Sequence, residues 1–182
     1  MDALKTQEPE PLEQDLIEFR HLLHMYPEPS RRETETSRRI REVLAAHGIR
    51  ELDLPLATGV AAEIGSPGNG PVIALRADID ALPIEEKSGV AFASRNPGTM
   101  HACGHDVHTA VILGAALLLK REEERLRGSV RLIFQPAEET AEGARAVLGT
   151  GVLEGVKAIF GFHNDPSLPV GTLGSRHGVL TA

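Results

Sequence analysis

The sequence of 182 residues has one cysteine, no tryptophan and few aromatic residues of any kind. A single cysteine excludes an intramolecular disulfide framework and is typical of a protein in a reducing compartment. Aromatic residues make up only 3% of the chain, which leaves little from which to build a platform for stacking nucleic-acid bases. The formal net charge is −7, so the chain has no overall excess of positive charge. We therefore expect no nucleic-acid partner.

Long apolar runs are also missing. The longest one, Ala110–Leu119, is too short to span a bilayer. Residues 1–15 are polar and acidic, without the apolar stretch of a secretory signal. We therefore expect no membrane association and a cytoplasmic location, and we expect residues 1–12 to form a loose tail.

Segments with helical periodicity alternate with segments that have the composition of strands. Helices are predicted at residues 12–25, 34–47, 106–125 and 141–148, and strands at residues 51–54, 60–64, 72–75, 130–134 and 156–162. Helices that alternate with buried strands indicate an α/β fold, here a three-layer arrangement in which a sheet is sandwiched by helices.

Residues with chemically active side chains follow three of the predicted strands. Asp78 and Asp80 follow the third strand, Glu138 and Glu139 the fourth, and His163 the fifth. In an open parallel sheet such residues collect at the edge formed by the carboxyl ends of the strands. The segment before the longest predicted helix, residues 101–108, adds a cysteine and three histidines. We therefore expect carboxylates, imidazoles and one thiol to converge at a single edge of the sheet.

Carboxylate, imidazole and thiolate together are ligands for transition metals. In the Cys103-Gly104-His105 segment, the glycine lets the backbone fold tightly enough for both neighbours to reach one ion. On extended backbone, Glu138 and Glu139 would point in opposite directions, so that one could bind metal while the other faces a substrate. This set suits a metal hydrolase, in which the ion acidifies bound water and a free carboxylate takes the proton.

Each of these residues also has a purely structural interpretation. A lone cysteine such as Cys103 is most often a small buried apolar residue. The other structural roles considered are an N-cap of the long helix at Asp106, loop or cap positions at His101 and His108, turn positions at Asp78 and Asp80, and a solvated helix start at Glu138 and Glu139. It is the joint occurrence of these residues at strand and loop ends that favours a metal site.

Four ordered segments resemble the aminoacylase/carboxypeptidase family of metal-dependent amidohydrolases. They are ALRADIDALPIEE (residues 74–86), MHACGHDVHTA (100–110), LIFQPAEE (132–139) and IFGFHNDPSLPVGT (159–172). The branch they resemble contains hippurate hydrolase, N-acetyldiaminopimelate deacetylase and the indoleacetyl-amino-acid hydrolases, and residues 23–37 resemble its opening helix and turn. The resemblance implies the N-terminal part of a zinc-peptidase-like catalytic domain that hydrolyses the amide bond of small N-acyl-amino acids.

The same resemblance implies a site with two divalent ions, which could be zinc, manganese, cobalt or nickel. The implied metal ligands are Cys103, His105, Glu139 and His163. Glu138 would be the general base that takes a proton from the attacking water. Asp80 would orient the metal site without binding the ions itself.

The sequence departs from the family pattern in two ways. Val107 replaces a glycine that is common at that point of the motif. Family members continue into a lid or dimerisation domain, whereas this sequence ends about where the lid would begin. We therefore expect residues 13–182 to form a partial catalytic domain without the lid and with an exposed apolar sheet edge, and we leave the oligomeric state open. His177 is not expected to replace the further histidine ligand that the family supplies from beyond the lid.

Two alternatives remain open at this point. The chain could be a metal-binding remnant or partner-dependent fragment without turnover. It could also be a cysteine amidase with Cys103 as nucleophile and a histidine as base. The second alternative leaves Glu138 and Glu139 without a role, and two residues is a poor separation for a Cys103–His105 dyad.

Overall fold

A computed structural model of the chain describes residues 11–66, 68 and 70–175. Its helices are α1 (Pro11–Met25), α2 (Thr34–Ala46), α3 (His105–Arg121) and α4 (Gly143–Gly149), with one 3-10 turn at Glu123–Arg125. Its strands are β1 (Arg50–Leu52), β2 (Val60–Gly65), β3 (Val72–Asp78), β4 (Ser129–Gln135) and β5 (Val156–Phe160). The predicted elements are thus present, with ends shifted by a few residues. Most of the predicted tail and His177 lie outside the described residues, while Pro11 and Leu12 belong to α1.

The five strands form one mixed sheet in the order β1-β2-β4-β3-β5. The strand β3 pairs in parallel with both β4 and β5, whereas β2 is antiparallel to β1 and to β4. The carboxyl ends of β3, β4 and β5 therefore meet at the same edge, as the prediction of converging side chains requires.

The sheet is covered on both faces, because successive residues of a strand point to opposite sides. In β4, Leu132 packs into a core shared with α2 and α3, to which α1 adds partly buried residues. The next residue, Ile133, faces the other side and packs against Val147 of α4. Both residues are almost fully buried. The predicted three-layer α/β arrangement is confirmed, with three helices on one face and only the short α4 on the other.

Two glycines with positive φ lie at helix ends. Gly48 (φ +64°) follows the end of α2, where a left-handed residue commonly ends a helix. Gly104 (φ +82°) occupies the N-cap position of α3, and the helix begins at His105. The predicted N-cap role of Asp106 is therefore wrong. This residue lies inside the first turn, where its buried carboxylate accepts a hydrogen bond from His24 at 2.9 Å and pairs with Arg20 at 2.7 Å.

The strand β5 lies at an edge of the sheet and exposes apolar side chains there. Ile159 and Phe160 are 50% and 57% exposed. An exposed apolar edge was expected from the sequence, and the described residues contain one. Within residues 11–175, the helices are all too short or too polar to cross a membrane.

Candidate metal centre

The carboxyl ends of the three parallel strands bring the predicted site residues together. Asp80 lies two residues beyond β3, Glu138 and Glu139 lie in the turn after β4, and His163 lies three residues beyond β5. The segment before α3 adds Cys103, and His105 is the first residue of that helix. The other five residues lie around the side chain of His105.

The His105 ring is oriented by the backbone at the end of β3. Its Nδ1 lies 2.9 Å from the carbonyl oxygen of Asp80 and 3.3 Å from a carboxylate oxygen of the same residue. A carbonyl oxygen can only accept a hydrogen bond, so Nδ1 carries the proton and donates it. In the neutral ring, the lone pair of Nε2 is then free to bind a metal. Nε2 is buried and has no hydrogen-bond partner among the described residues.

The adjacent carboxylates of Glu138 and Glu139 both approach this nitrogen. Their nearest oxygens lie 3.9 and 3.7 Å from Nε2 of His105. The prediction that the two side chains point in opposite directions is wrong, because the backbone at this point is a turn rather than a strand. The preceding residue, Ala137, has a φ of +51°, which turns the chain sharply. Glu138 is 40% exposed and Glu139 is 16% exposed, so Glu138 is the more accessible of the two from solvent.

Cys103 and His163 approach each other on another side of His105. The Sγ of Cys103 lies 3.9 Å from Nε2 of His163. The Nδ1 of His163 donates to the carbonyl oxygen of Asn164 at 2.8 Å, so that Nε2 of this ring is also the nitrogen left to bind a metal. Ligand atoms of Cys103, His105 and His163 lie within 4.8 Å of one another, and the same holds for His105, Glu138 and Glu139. The two groups share His105.

Negative charge is crowded in this region, and the pKa values respond to it. Burial and the charge of Glu139 raise the pKa of the Cys103 thiol to about 11. Burial also raises the pKa of Glu139, with a contribution from the charge of Glu138. Burial lowers the pKa of His105, but its hydrogen bond with Asp80 and the charge of Asp78 outweigh that effect and raise it. Bringing these groups together without a cation is therefore unfavourable.

The sequence analysis placed Asp78 and His108 at this edge of the sheet but assigned neither a specific role in the metal site. The Nδ1 of His108 donates to Oδ1 of Asp78 at 2.6 Å, and its Nε2 accepts the backbone N–H of Asn164 at 3.1 Å. Burial would raise the pKa of Asp78, but the His108 hydrogen bond and the charges of His105 and Arg76 hold it at about 2. Asp78, His105 and His108 also lie close enough to hold an ion. Both ring nitrogens of His108 are already used, however, which favours a supporting role. Its spacing of three residues from His105, one helical turn, was a usable signal.

The residues present fit a bound divalent cation. Sulfur, nitrogen and oxygen donors converge from three strand ends and one helix start. Nε2 of His105 and Oε1 of Glu139 are buried atoms without a hydrogen-bond partner among the described residues. Buried polar atoms of native proteins are normally paired, and a cation bound at this position would satisfy both of these atoms.

Two curated relatives illustrate what the chain is similar to. It is 58% identical over 168 residues to N-acetylcysteine deacetylase of Bacillus subtilis, covering 92% of this chain and 44% of that protein. It is 46% identical over 167 residues to IAA-amino acid hydrolase ILR1-like 5 of Arabidopsis thaliana, covering 92% of this chain and 38% of that protein. The chain thus spans less than half the length of the curated relatives it matches.

Comparisons with solved structures and with family models agree with the similarity to these two relatives. A Bacillus subtilis protein described as a dinuclear metal-binding peptidase of the M20 family superposes with a TM-score of 0.89 at 57% sequence identity. The match covers 92% of this chain and 47% of that one. The family model described as peptidase family M20/M25/M40 matches residues 74–178, which include every site residue described above. The chain therefore belongs to peptidase family M20/M25/M40.

Proposed function

We propose that this chain carries the metal-binding and proton-transfer residues of a hydrolase that cleaves the amide bond of N-acyl-amino acids. The observation that carries the proposal is the convergence on His105. Its free Nε2 faces Glu138 and Glu139, and the Cys103–His163 pair lies beside it. Residues 13–182 would be part of the catalytic domain, and the single free cysteine supports a reducing, cytoplasmic setting.

Four residues would hold two divalent ions between them, namely Cys103, His105, Glu139 and His163. Mixed sulfur, nitrogen and oxygen ligands accept zinc, manganese, cobalt or nickel. The similar Bacillus subtilis structure is that of a dinuclear metal-binding peptidase, which supports two ions rather than one. Asp80 would fix the site from outside, because its backbone carbonyl orients His105 and its carboxylate accepts the backbone N–H of Glu139 at 2.9 Å.

Glu138 would act as the general base. Bound divalent ions would acidify a water molecule and polarise the amide carbonyl group. Glu138 is the more exposed of the two glutamates, so its carboxylate can reach a water molecule at the open side of the site. It would take a proton from that water and later return it to the departing amine. The products would be a carboxylate and a free amino acid.

The names of the relatives indicate the substrate class to test. One relative is a deacetylase of N-acetylcysteine and another is a hydrolase of IAA-amino acids. Both names describe an acyl group joined to an amino acid through an amide bond. We propose the same class of small substrate for this chain, with the acyl group and the amino acid left open.

The test combines elemental analysis of the purified chain with an assay of amine release from N-acetyl-L-cysteine and from an indoleacetyl-amino acid. We expect bound divalent metal, and hydrolysis that a chelator abolishes and added metal restores. Glu138→Ala should abolish hydrolysis while the metal stays bound, whereas Glu139→Ala and Cys103→Ala should lower the metal content. Normal turnover by Glu138→Ala would refute the general-base assignment.

A metal-binding domain without turnover is the second candidate. It is favoured by the openness of the site, where Glu138 is 40% exposed and His163 is exposed. Bound metal with no hydrolysis of either substrate would support it. A cysteine amidase is disfavoured, because a thiol with a pKa near 11 is a poor nucleophile at neutral pH. Activity that survives complete removal of metal would instead favour the cysteine amidase.

A further inference from the structure

Glu33 is a fully buried acidic residue that the proposed mechanism does not use. It lies directly before α2, and its side chain has no exposed surface. Among the described residues it forms no ion pair. Instead, Oε1 accepts the backbone N–H of Ala137 at 2.7 Å, and Oε2 accepts the hydroxyl of Thr58 at 2.8 Å. Burying a carboxyl group without a charged partner is costly, so its retention at this position calls for a specific role.

Ala137 is the residue that turns the chain toward the site. Its φ of +51° lies in the left-handed region, which an alanine adopts only at an energetic cost. Such strain persists where the surroundings hold the residue from several sides. Here the Glu33 side chain accepts the N–H of Ala137, and the carbonyl oxygen of Ala137 accepts the backbone N–H of Gly143 at 2.9 Å.

This turn decides where the next two side chains point. Glu138 and Glu139 directly follow Ala137, and both approach Nε2 of His105 to within 4 Å. On extended backbone, only one of two adjacent side chains could face that nitrogen. The conformation of Ala137 is thus what allows the proposed base and the proposed ligand to share one side of the site.

A second tether comes from the same segment between α1 and α2. The hydroxyl of Ser30 donates to Oδ2 of Asp80 at 2.7 Å, and the same oxygen accepts the N–H of Glu139 at 2.9 Å. The segment therefore supports the turn at two backbone positions, although it contributes no side chain to the group around His105. The chain separation between Glu33 and Ala137 is 104 residues.

We propose that Glu33 is a positioning residue, whose carboxylate fixes the Ala137 turn so that Glu138 and Glu139 both face His105. The inference rests on the proposed function for the roles of those two glutamates. Glu33 acts through the backbone of Ala137 and does not itself touch the site.

If Glu33 only stabilised the fold, its hydrogen bond with Thr58 would matter as much as its hydrogen bond with Ala137. The Thr58 hydroxyl ties Glu33 to the chain just before β2, through the carboxylate oxygen that Ala137 does not use. Thr58→Val removes that contact and leaves the Ala137 contact in place, so it serves as the matched control. Glu33→Gln is the conservative variant, because its amide oxygen can still accept from Ala137 while its amide nitrogen donates to the Thr58 hydroxyl.

The experiment measures two quantities on the full chain: the hydrogen-exchange rate of the Ala137 amide by NMR, and the affinity for Co²⁺ by titration of its visible absorption. Glu33→Ala should speed exchange at Ala137 by about tenfold or more and weaken Co²⁺ binding by about tenfold. Glu33→Gln should restore both values to near wild type. Thr58→Val should lower stability but leave the Co²⁺ affinity unchanged.

Equal weakening of Co²⁺ binding by Thr58→Val and Glu33→Ala would overturn the proposal, as would unchanged exchange at Ala137 in Glu33→Ala. If Glu33→Ala does not fold, Glu33→Asp replaces it, since its shorter side chain withdraws from Ala137 and should also weaken binding; wild-type affinity in Glu33→Asp would overturn the proposal. If the wild-type chain binds no Co²⁺, the proposed metal centre is wrong, and the exchange rates alone decide whether Glu33 holds the turn.

Discussion

Gly104 separates two proposed metal ligands, so a methyl group added at this position should disturb the proposed metal site directly. Its φ of +82° lies in the left-handed region. A Cβ added there would lie 2.8 Å from Cγ of Asn164, closer than real Cβ atoms approach other heavy atoms. The Asn164 side chain could move only by giving up its contact with His108, whose Nε2 lies 2.5 Å from Oδ1 of Asn164. Gly104→Ala should therefore disturb Cys103 and His163 together.

The cost of this substitution has two parts that a control can separate. An alanine with positive φ costs about 1–2 kcal/mol, and the forced contact adds about 1–3 kcal/mol. Gly48 has a φ of +64° and nothing within 4 Å of its added Cβ, so Gly48→Ala carries the first cost alone. At about 2–4 °C per kcal/mol, Gly48→Ala should lower Tm by about 2–8 °C and Gly104→Ala by clearly more.

The assay is thermal unfolding followed by circular dichroism, with Co²⁺ titration of both variants. We expect Gly48→Ala to bind Co²⁺ with wild-type affinity and Gly104→Ala to bind it at least about tenfold more weakly. Equal losses of Tm in the two variants, together with equal Co²⁺ affinities, would refute the packing of Gly104 against Asn164. A large loss of Tm in Gly104→Ala with unchanged Co²⁺ affinity would instead show that the contact between Gly104 and Asn164 stabilises the fold without positioning the proposed metal ligands.

Two further predictions concern buried charges that are not among the proposed metal ligands. The hydrogen bond with Asp106 raises the pKa of His24 despite its burial, so the charged imidazole should stabilise the fold below pH 6.5, and that stabilisation should fade as pH rises through the higher folded-state pKa. Urea unfolding across this pH range should show the decline in stability in wild type and a flatter profile in His24→Gln. Identical profiles would refute a stabilising charge on His24. Arg131 donates at 3.0 Å to Glu63, whose side chain is 2% exposed, so Arg131→Met should lower the free energy of unfolding by about 3 kcal/mol. Glu63 also pairs with Arg50 and accepts the hydroxyl of Ser129. A loss under about 1 kcal/mol in the same assay would show that these two contacts satisfy Glu63 without Arg131.

The parts of the site set by short-range patterns could be predicted from the sequence. The sequence predicts the third and fourth strands to end at residues 75 and 134, close to their observed ends at Asp78 and Gln135, and parallel pairing then places the next residues at one edge. The tight Cys103–His105 pair follows from the glycine between them, which does adopt a positive φ. In each case the deciding physical cause lies within a few residues of the position in question.

The parts that could not be predicted depend on contacts between distant segments. Alanine is not a residue type that favours positive φ, so the residue type of Ala137 does not signal the turn that brings Glu138 and Glu139 to one side. Likewise, aspartate is a residue type that favours the N-cap, but Asp106 is buried and bonded to His24, which is 82 residues away in the sequence. Local propensity was overridden in both places by a buried hydrogen bond.

Two kinds of residue shape this site, and different measurements distinguish them. Cys103, His105 and Glu139 offer donor atoms, whereas Glu33 and Asp80 bond to backbone N–H groups or to the far nitrogen of the imidazole. These supporting hydrogen bonds are made to the backbone or to the other ring nitrogen, so the donor atoms remain free to bind an ion. Loss of a donor removes a bond to the ion and should lower the number of ions held. Loss of a support leaves every donor present but less well aligned, so it should lower affinity at unchanged stoichiometry. Affinity and stoichiometry must therefore be measured together before a role is assigned to any residue of this edge.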